Sequence, residues 1–290
     1  MRELIEGCWA HEPNTRPTAS EALRMLERVQ MGEEGEYRME WSTFHAACVA
    51  MEEDAAVSVQ TQQVFLGVID RYRMRVRESF DDGFSRLKQA AKHSGMEEQF
   101  AIGFMYANGL GVAGNDKEAV TYYQLAADQR FPPAQTNLAQ MYASGRGVLL
   151  DDEKAVSLFR LAADQGYPAA QCCLGRRHEL GEGVERDPRK AFQLYQAAAD
   201  QGNAAARCNL GSMYLEGTAV DKDVGKAASL FQLAADQGLA GALFNLAQMY
   251  YRGIGVGKDK RKAIALTEAA AAKGHPQAQR ALSEKKCIIC

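Results

Sequence analysis

A 36-residue period constrains this chain more than any other feature of its sequence. Shifted by 36, Tyr106, Tyr142, His178, Tyr214 and Tyr250 fall in one column, and Gly109, Gly145, Gly181, Gly217 and Gly253 in a second. A third holds Ala119, Ala155, Ala191, Ala227 and Ala263. Five equal spacings in three independent columns cannot come from biased composition. A fixed period of this size marks an array of stacked supersecondary units, each burying its apolar face only against its neighbours.

Start and stop signals occur twice per period, so each unit divides into two helices. Helix A begins near Pro132, Pro168 or Pro276, where a proline in the first turn sacrifices no hydrogen bond, and ends at the column of Gly145. After a G-x-G-V loop, helix B begins at Asn115, Asp151, Asp187, Asp223 and Asp259, an amide or carboxylate suited to an N-cap in every unit. It closes at Gly166, Gly202, Gly238 or Gly274. Small residues (Gly103, Ala139, Gly175, Gly211, Ala247 on A; the Ala-Ala pairs on B) alternate with large ones: Leu138, Met141 and Tyr142 on A, and Leu158, Phe159 and Leu161 on B. Complementary columns of this kind set one interhelix distance of roughly 8 to 10 Å. The predicted fold is all-α, a right-handed superhelical solenoid of αα-hairpins.

The pattern A-x-x-x-L-G-x-M-Y-x-x-G-x-G-V-x-x-D-x-x-K-A-x-x-x-[FY]-x-x-A-A-x-x-G closely resembles the Sel-one-like repeat (SLR) family. The match runs from about Gln99 to Leu282, nearly two thirds of the chain. Tetratricopeptide repeats are near relatives, but their 34-residue period lacks the G-x-G-V loop. The resemblance implies a non-enzymatic scaffold or adaptor that holds protein or peptide partners on its curved surface. Three departures stand out: Ala219 in place of the second loop glycine, Arg130 in place of the closing glycine, and His178 in place of Tyr. Distorted turns are expected at the first two.

Ahead of the array the composition changes. Residues 1–30 contain C-W-x-x-x-P-x-x-R-P from Cys8 to Pro17, with Trp9, Pro13, Arg16 and Pro17. This string resembles the last subdomain of protein kinases of the tyrosine-kinase-like group. The Gly-rich loop, V-A-I-K lysine, H-R-D loop and D-F-G ligand of such kinases are not found in the chain. Residues 1–30 therefore read as the remnant of a kinase C-lobe, and the alternative function is the regulatory C-terminal part of such a kinase whose catalytic region lies outside this chain. In that family the arginine matching Arg16 is buried against an A-P-E glutamate; without it, Arg16 is expected to be exposed or paired elsewhere. Residues 31–38 form a Gly- and Glu-rich linker. Within 39–80, Trp41, Phe44, Ala47, Cys48 and Met51, then Phe65, Val68, Ile69, Tyr72 and Val76, recur at helical spacing and predict two helices capping the array. A degenerate half repeat at 81–97 precedes five full units and a terminal half unit at 98–286, with Leu282 docking the last half unit.

The remaining sequence excludes several classes. A net charge of −3 over 290 residues supplies no basic field for nucleic acid. No run of 18 or more apolar residues is present, and seven Cys without a framework fit a reducing, cytoplasmic setting. The five His show no ligand spacing and no catalytic triad is assembled, so no catalytic residue, cofactor or metal is predicted. Cys172 and Cys208 share a column expected to lie in the packed interior, too far apart for a disulfide.

Two features point to partners. Helix A of the third unit reads Cys173-Leu174-Gly175-Arg176-Arg177-His178 where others read N-L-A-Q-M-Y, and Arg207 replaces Gln in the next unit. Arg176, Arg177, His178 and Arg207 are thus candidates for docking an acidic peptide through forked hydrogen bonds. At the C-terminus, Cys287-Ile288-Ile289-Cys290 has the C-a-a-X form of a prenylation box, preceded by Lys285 and Lys286. Lipidation at Cys287 would place the chain at the cytoplasmic face of a membrane.

Overall fold

The structure, a computed structural model, describes residues 64–65, 67–69, 80–93 and 95–283. The kinase-like segment, the linker, the helix expected over Met39–Met51 and the C-terminal box lie outside the described residues. No strand occurs among the described residues. Among the described residues, twelve helices follow the helical residues 64–65 and 67–69: α1 (Phe80–Lys92), α2 (Met96–Asn108), α3 (Asp116–Asp128), α4 (Pro132–Ser144), α5 (Asp152–Asp164), α6 (Pro168–Leu180), α7 (Pro188–Asp200), α8 (Ala204–Glu216), α9 (Val224–Asp236), α10 (Ala240–Arg252), α11 (Lys260–Ala272) and α12 (Pro276–Ser283). From α2 to α11 every helix has 13 residues, alternating as helices A and B of an all-α repeat solenoid.

The chain forms two compact units, residues 1–151 and 152–290. In the first, α1 to α4 pack in sequence, and Phe65 is buried with its ring 4.7 Å from that of Phe104 on α2. In the second, each of α5 to α12 packs on the next.

Local chemistry accounts for each reversal. The cap side chains of Asn115, Asp187, Asp223 and Asp259 accept from backbone N–H groups in the first turn of helix B. Each cap residue also donates its own N–H to the carbonyl of Tyr106, His178, Tyr214 or Tyr250, closing the loop between A and B. Helix B ends in paired bonds of the Schellman type: in α5, Gly166 N–H donates to Ala163 O and Tyr167 N–H to Ala162 O.

The turns at Arg130 and Ala219 are not distorted, contrary to the sequence expectation. Arg130 keeps both Schellman bonds, and the two residues adopt left-handed backbone with φ of 63° and 62°. The surrounding hydrogen bonds dictate the dihedral, and the side chain bears the steric cost.

The core is built from small residues facing rings. A Cβ added at Gly175 would come within 2.8 Å of Tyr195, and one at Gly211 within 2.9 Å of Phe231. Those rings and the alanine pairs of helix B are buried, with Leu174, Leu210 and Leu246 filling the layer. One assignment is corrected: Leu161 is 51 % exposed, and Leu125 and Leu233 in the same column are exposed with it. Ala155, Leu158, Phe159 and Ala162 form the buried stripe of α5, and Leu161 lies off that stripe. Cys172 is buried, whereas Cys208 is only half-buried.

Candidate partner-binding surface

The four basic candidates occupy four different environments. Arg176 is exposed on α6. Its neighbour Arg177 stands where other units bury Met, with a side chain only 15 % exposed, and its guanidinium bonds Asp152 at 2.8 Å and Glu182 at 2.9 Å. Arg177 is therefore the centre of an internal ion triad tying α6 to the start of α5 and to the following loop. The first unit of the structure has a counterpart: Arg146 pairs with Asp116 at 2.6 Å and donates to Ala107 O.

His178 is 4 % exposed, which removes it from any docking surface. Its Nδ1 lies 3.4 Å from Glu185 O, while Nε2 has no partner. Burial pushes its pKa below the ordinary 6.5. In the fourth and fifth units, where Tyr occupies this column, a lysine twelve residues on donates to the phenol and lies over the ring: Lys226 to Tyr214 at 2.6 Å and Lys262 to Tyr250 at 2.7 Å.

Arg207 is half-buried and donates through Nε to Ala199 O. Gln99, Gln135, Gln171 and Gln279 make the same bond to the end of the preceding helix B, so Arg207 substitutes for a capping glutamine. A cation there also suits the negative end of the helix dipole. Of the four residues, the structure leaves Arg176 free for contact and holds the other three in packing.

Glu179 lies one turn after Arg176 on the same helix, and the neighbouring A helices contribute amides. Asn209 reaches Cys172 Sγ at 3.8 Å and Asn245 reaches Cys208 Sγ at 3.6 Å, linking successive A helices. Sulfur is a weak acceptor, so these amides keep unused hydrogen-bonding capacity. Burial pushes the Cys172 thiol well above its ordinary range and the Cys208 thiol up to about 11, so both are poor nucleophiles at neutral pH. Tyr195, buried behind this face, donates to Glu179 at 2.6 Å.

No group of three or more His, Cys, Asp or Glu among the described residues is placed to hold a metal ion. No helix among them is long and apolar enough to cross a membrane. Sequence reasoning passed over the Lys–Tyr pairs and the Arg177 triad. The acids that explain Arg177 were readable in the columns of Asp116 and Arg146, whose pairing runs between neighbouring repeats.

Stacked αα-hairpins with short glycine loops and side chains spent on one another define a helical repeat protein of the scaffold type. The chain belongs to the Sel1 repeat family, which matches residues 99–131, 132–167, 168–203, 204–239 and 240–275. The chain is similar to the crystal structure of a Sel1 repeat protein from Oxalobacter formigenes, at 29 % identity and a TM-score of 0.67, over 76 % of this chain and 86 % of that one. It is also similar to c5321, a protective antigen of uropathogenic Escherichia coli strains with an SLR fold, at 33 % identity and a TM-score of 0.62. That match covers 80 % of this chain and half of the other. No curated protein sequence matches the chain significantly. Sel1 repeat proteins are non-enzymatic helical repeat proteins, and such repeats generally bind protein partners.

Proposed function

We propose that the chain is an adaptor that binds protein segments on the exposed surface of its A helices. The observation that supports this is the division of labour between side chains. Caps, buried rings, alanine pairs and the Arg177 triad are committed to the fold, whereas Arg176, Asn209 and Asn245 on neighbouring A helices keep polar groups at the surface. Amides of this kind bond the backbone of an extended segment, and Arg176 adds a preference for an acidic residue in it. Crosslinking and affinity capture with the whole chain tests the reading. Arg176→Glu is expected to deplete a defined set of captured proteins while leaving the thermal melt unchanged. An identical partner list for Arg176→Glu and for Asn209→Ala/Asn245→Ala would remove the assignment.

Two further readings carry their own tests. A lipid tether at Cys287 rests on the C-a-a-X form and Lys285–Lys286; Cys287→Ser is expected to shift the protein out of the membrane fraction, and unchanged fractionation refutes it. The kinase reading rests on the Cys8–Pro17 string alone. A transcript carrying H-R-D and D-F-G in frame upstream of Met1 supports it, and an in-frame stop codon there refutes it.

A further inference from the structure

Charge is not spread evenly over the repeats. At the end of each hairpin where helix A hands over to helix B, the fifth unit carries Arg252, Lys258, Lys260, Arg261 and Lys262 against one carboxylate, Asp259. The equivalent end of the fourth unit has Lys222 and Lys226 against Glu216, Asp221 and Asp223, and that of the third has Arg186, Arg189 and Lys190 against Glu182, Glu185 and Asp187. Only the fifth end has a large excess of one sign, although the whole chain is slightly acidic.

Among the described residues, none of these cations is neutralised by an acid, although Lys262 donates to the Tyr250 hydroxyl at 2.7 Å. All five are exposed, and none makes an ion pair among the described residues. The single acid is occupied, because Asp259 accepts the Lys262 N–H as the cap of α11. Three of the five, Lys260, Arg261 and Lys262, stand in the first turn of α11, where the helix dipole opposes positive charge. The arrangement therefore works against local stability. Two tyrosines lie beneath it: Lys262 Nζ is 4.3 Å from the Tyr250 ring centroid and Lys260 Nζ 5.8 Å from that of Tyr251.

We propose that this end of the α10–α11 hairpin is a docking face for an anionic membrane surface, acting electrostatically and without need of a lipid anchor. Clusters of four or more Lys and Arg at a surface bind acidic lipid, each contributing on the order of 1 kcal/mol close to the headgroups. Three of the cations are lysines, point charges on flexible stems that suit laterally mobile headgroups better than the planar fork that a fixed carboxylate rewards. Tyrosine rings beneath them suit the headgroup zone. A nucleic acid running along the array would meet Glu216, Asp221 and Asp223 at the next hairpin end, whereas a membrane touching the last repeat would not. The inference goes beyond the adaptor reading and does not depend on it.

The test is vesicle co-sedimentation of the full-length chain bearing Cys287→Ser and made in bacteria, so that no isoprenoid is present. The chain is expected to sediment with phosphatidylcholine vesicles containing about one third phosphatidylserine and to stay in solution with phosphatidylcholine alone. Binding is expected to vanish as salt rises from about 50 to about 500 mM. Lys258→Gln/Arg261→Gln should weaken it by about tenfold or more, from two lost charges. Lys222→Gln, at the balanced end of the fourth unit, should leave it unchanged, and circular dichroism should show both variants folded. The proposal is overturned by failure to sediment with the acidic vesicles at low salt, or by undiminished binding of the double variant. It is equally overturned by tighter binding to oligoglutamate or to an RNA oligonucleotide than to vesicles, or by displacement with millimolar inorganic phosphate at constant ionic strength, which would identify a soluble anion as the ligand.

Discussion

Arg130 and Ala219 hold left-handed backbone that the rest of their columns assign to glycine, with φ between 62° and 63°. An L-residue there costs about 1 to 2 kcal/mol, partly offset by the smaller entropy of its unfolded state. Ala219→Gly is therefore expected to stabilise the chain by about 0.5 to 1 kcal/mol in chemical denaturation. The converse change is worse than its mirror image. A Cβ at Gly183 would collide with the carbonyl of Asp152 as well as adopting positive φ, so Gly183→Ala is expected to cost at least about 2 kcal/mol. The third departure acts through pH. Buried His178 has a folded pKa below 6.5, so the unfolded chain binds its proton first. Its contribution to stability is complete above that value and is lost as pH falls from 6.5 toward the folded pKa. His178→Tyr restores the column and places a phenol within reach of Lys190, as in the Tyr214–Lys226 pair. The variant should unfold less steeply than the wild type as pH drops from about 7 to about 5, measured by urea titration; parallel profiles would show that His178 is silent.

At the scale of elements, Arg177 shows how a helix accommodates a charge in a position built for Met. The side chain is mostly covered, but Asp152 and Glu182 keep 35 % and 43 % of their exposure, so solvent screens much of the attraction. Arg177→Met should consequently change stability by no more than about 1 kcal/mol. Arg177→Glu would gather three carboxylates at one place and is expected to cost at least about 2 kcal/mol, read from the denaturation midpoint. The same residue shows where sequence reasoning stops. Hairpins, caps and glycine turns were legible because each is a local rule repeated five times at one spacing. Phase within a helix is less legible: Leu161 reads as a packing residue because it is apolar, but it sits off the stripe of Leu158, Phe159 and Ala162. Arg177 reads as a docking residue because it breaks a column, but its partners are 25 residues before it and five after it. Arg207 is a similar case, since a guanidinium replaces a glutamine amide only where the accepting carbonyl of Ala199 is within reach, and sequence does not carry that distance. Pairings between repeats depend on the stacking distance, which no single unit encodes.

At the scale of the molecule, the described helices, which pack chiefly on the next helix with lesser contacts between successive A helices, share no central core to defend. The stability of such an array is a sum of unit terms and nearest-neighbour interfaces, and cooperativity extends only as far as those interfaces outweigh the cost of opening a unit. In the unit formed by residues 152–290 the last interfaces are the weakest candidates: α12 has eight residues, and Leu282, equivalent to the buried Leu210 and Leu246, is exposed. A large cavity in the fifth repeat should therefore detach the end without unfolding the rest. Leu246 is 1 % exposed, and its truncation to alanine is expected to cost about 3 kcal/mol. Hydrogen exchange should then report loss of protection across α10, α11 and α12 together, with α6 and α7 close to wild type. Leu210→Ala, equally buried but flanked by hairpins on both sides, should instead lower protection in α6 to α11. If both variants lowered protection uniformly from α5 to α12, the unit would behave as one cooperative body, and the end bearing Lys258 and Arg261 could not open independently of the A helices that present Arg176.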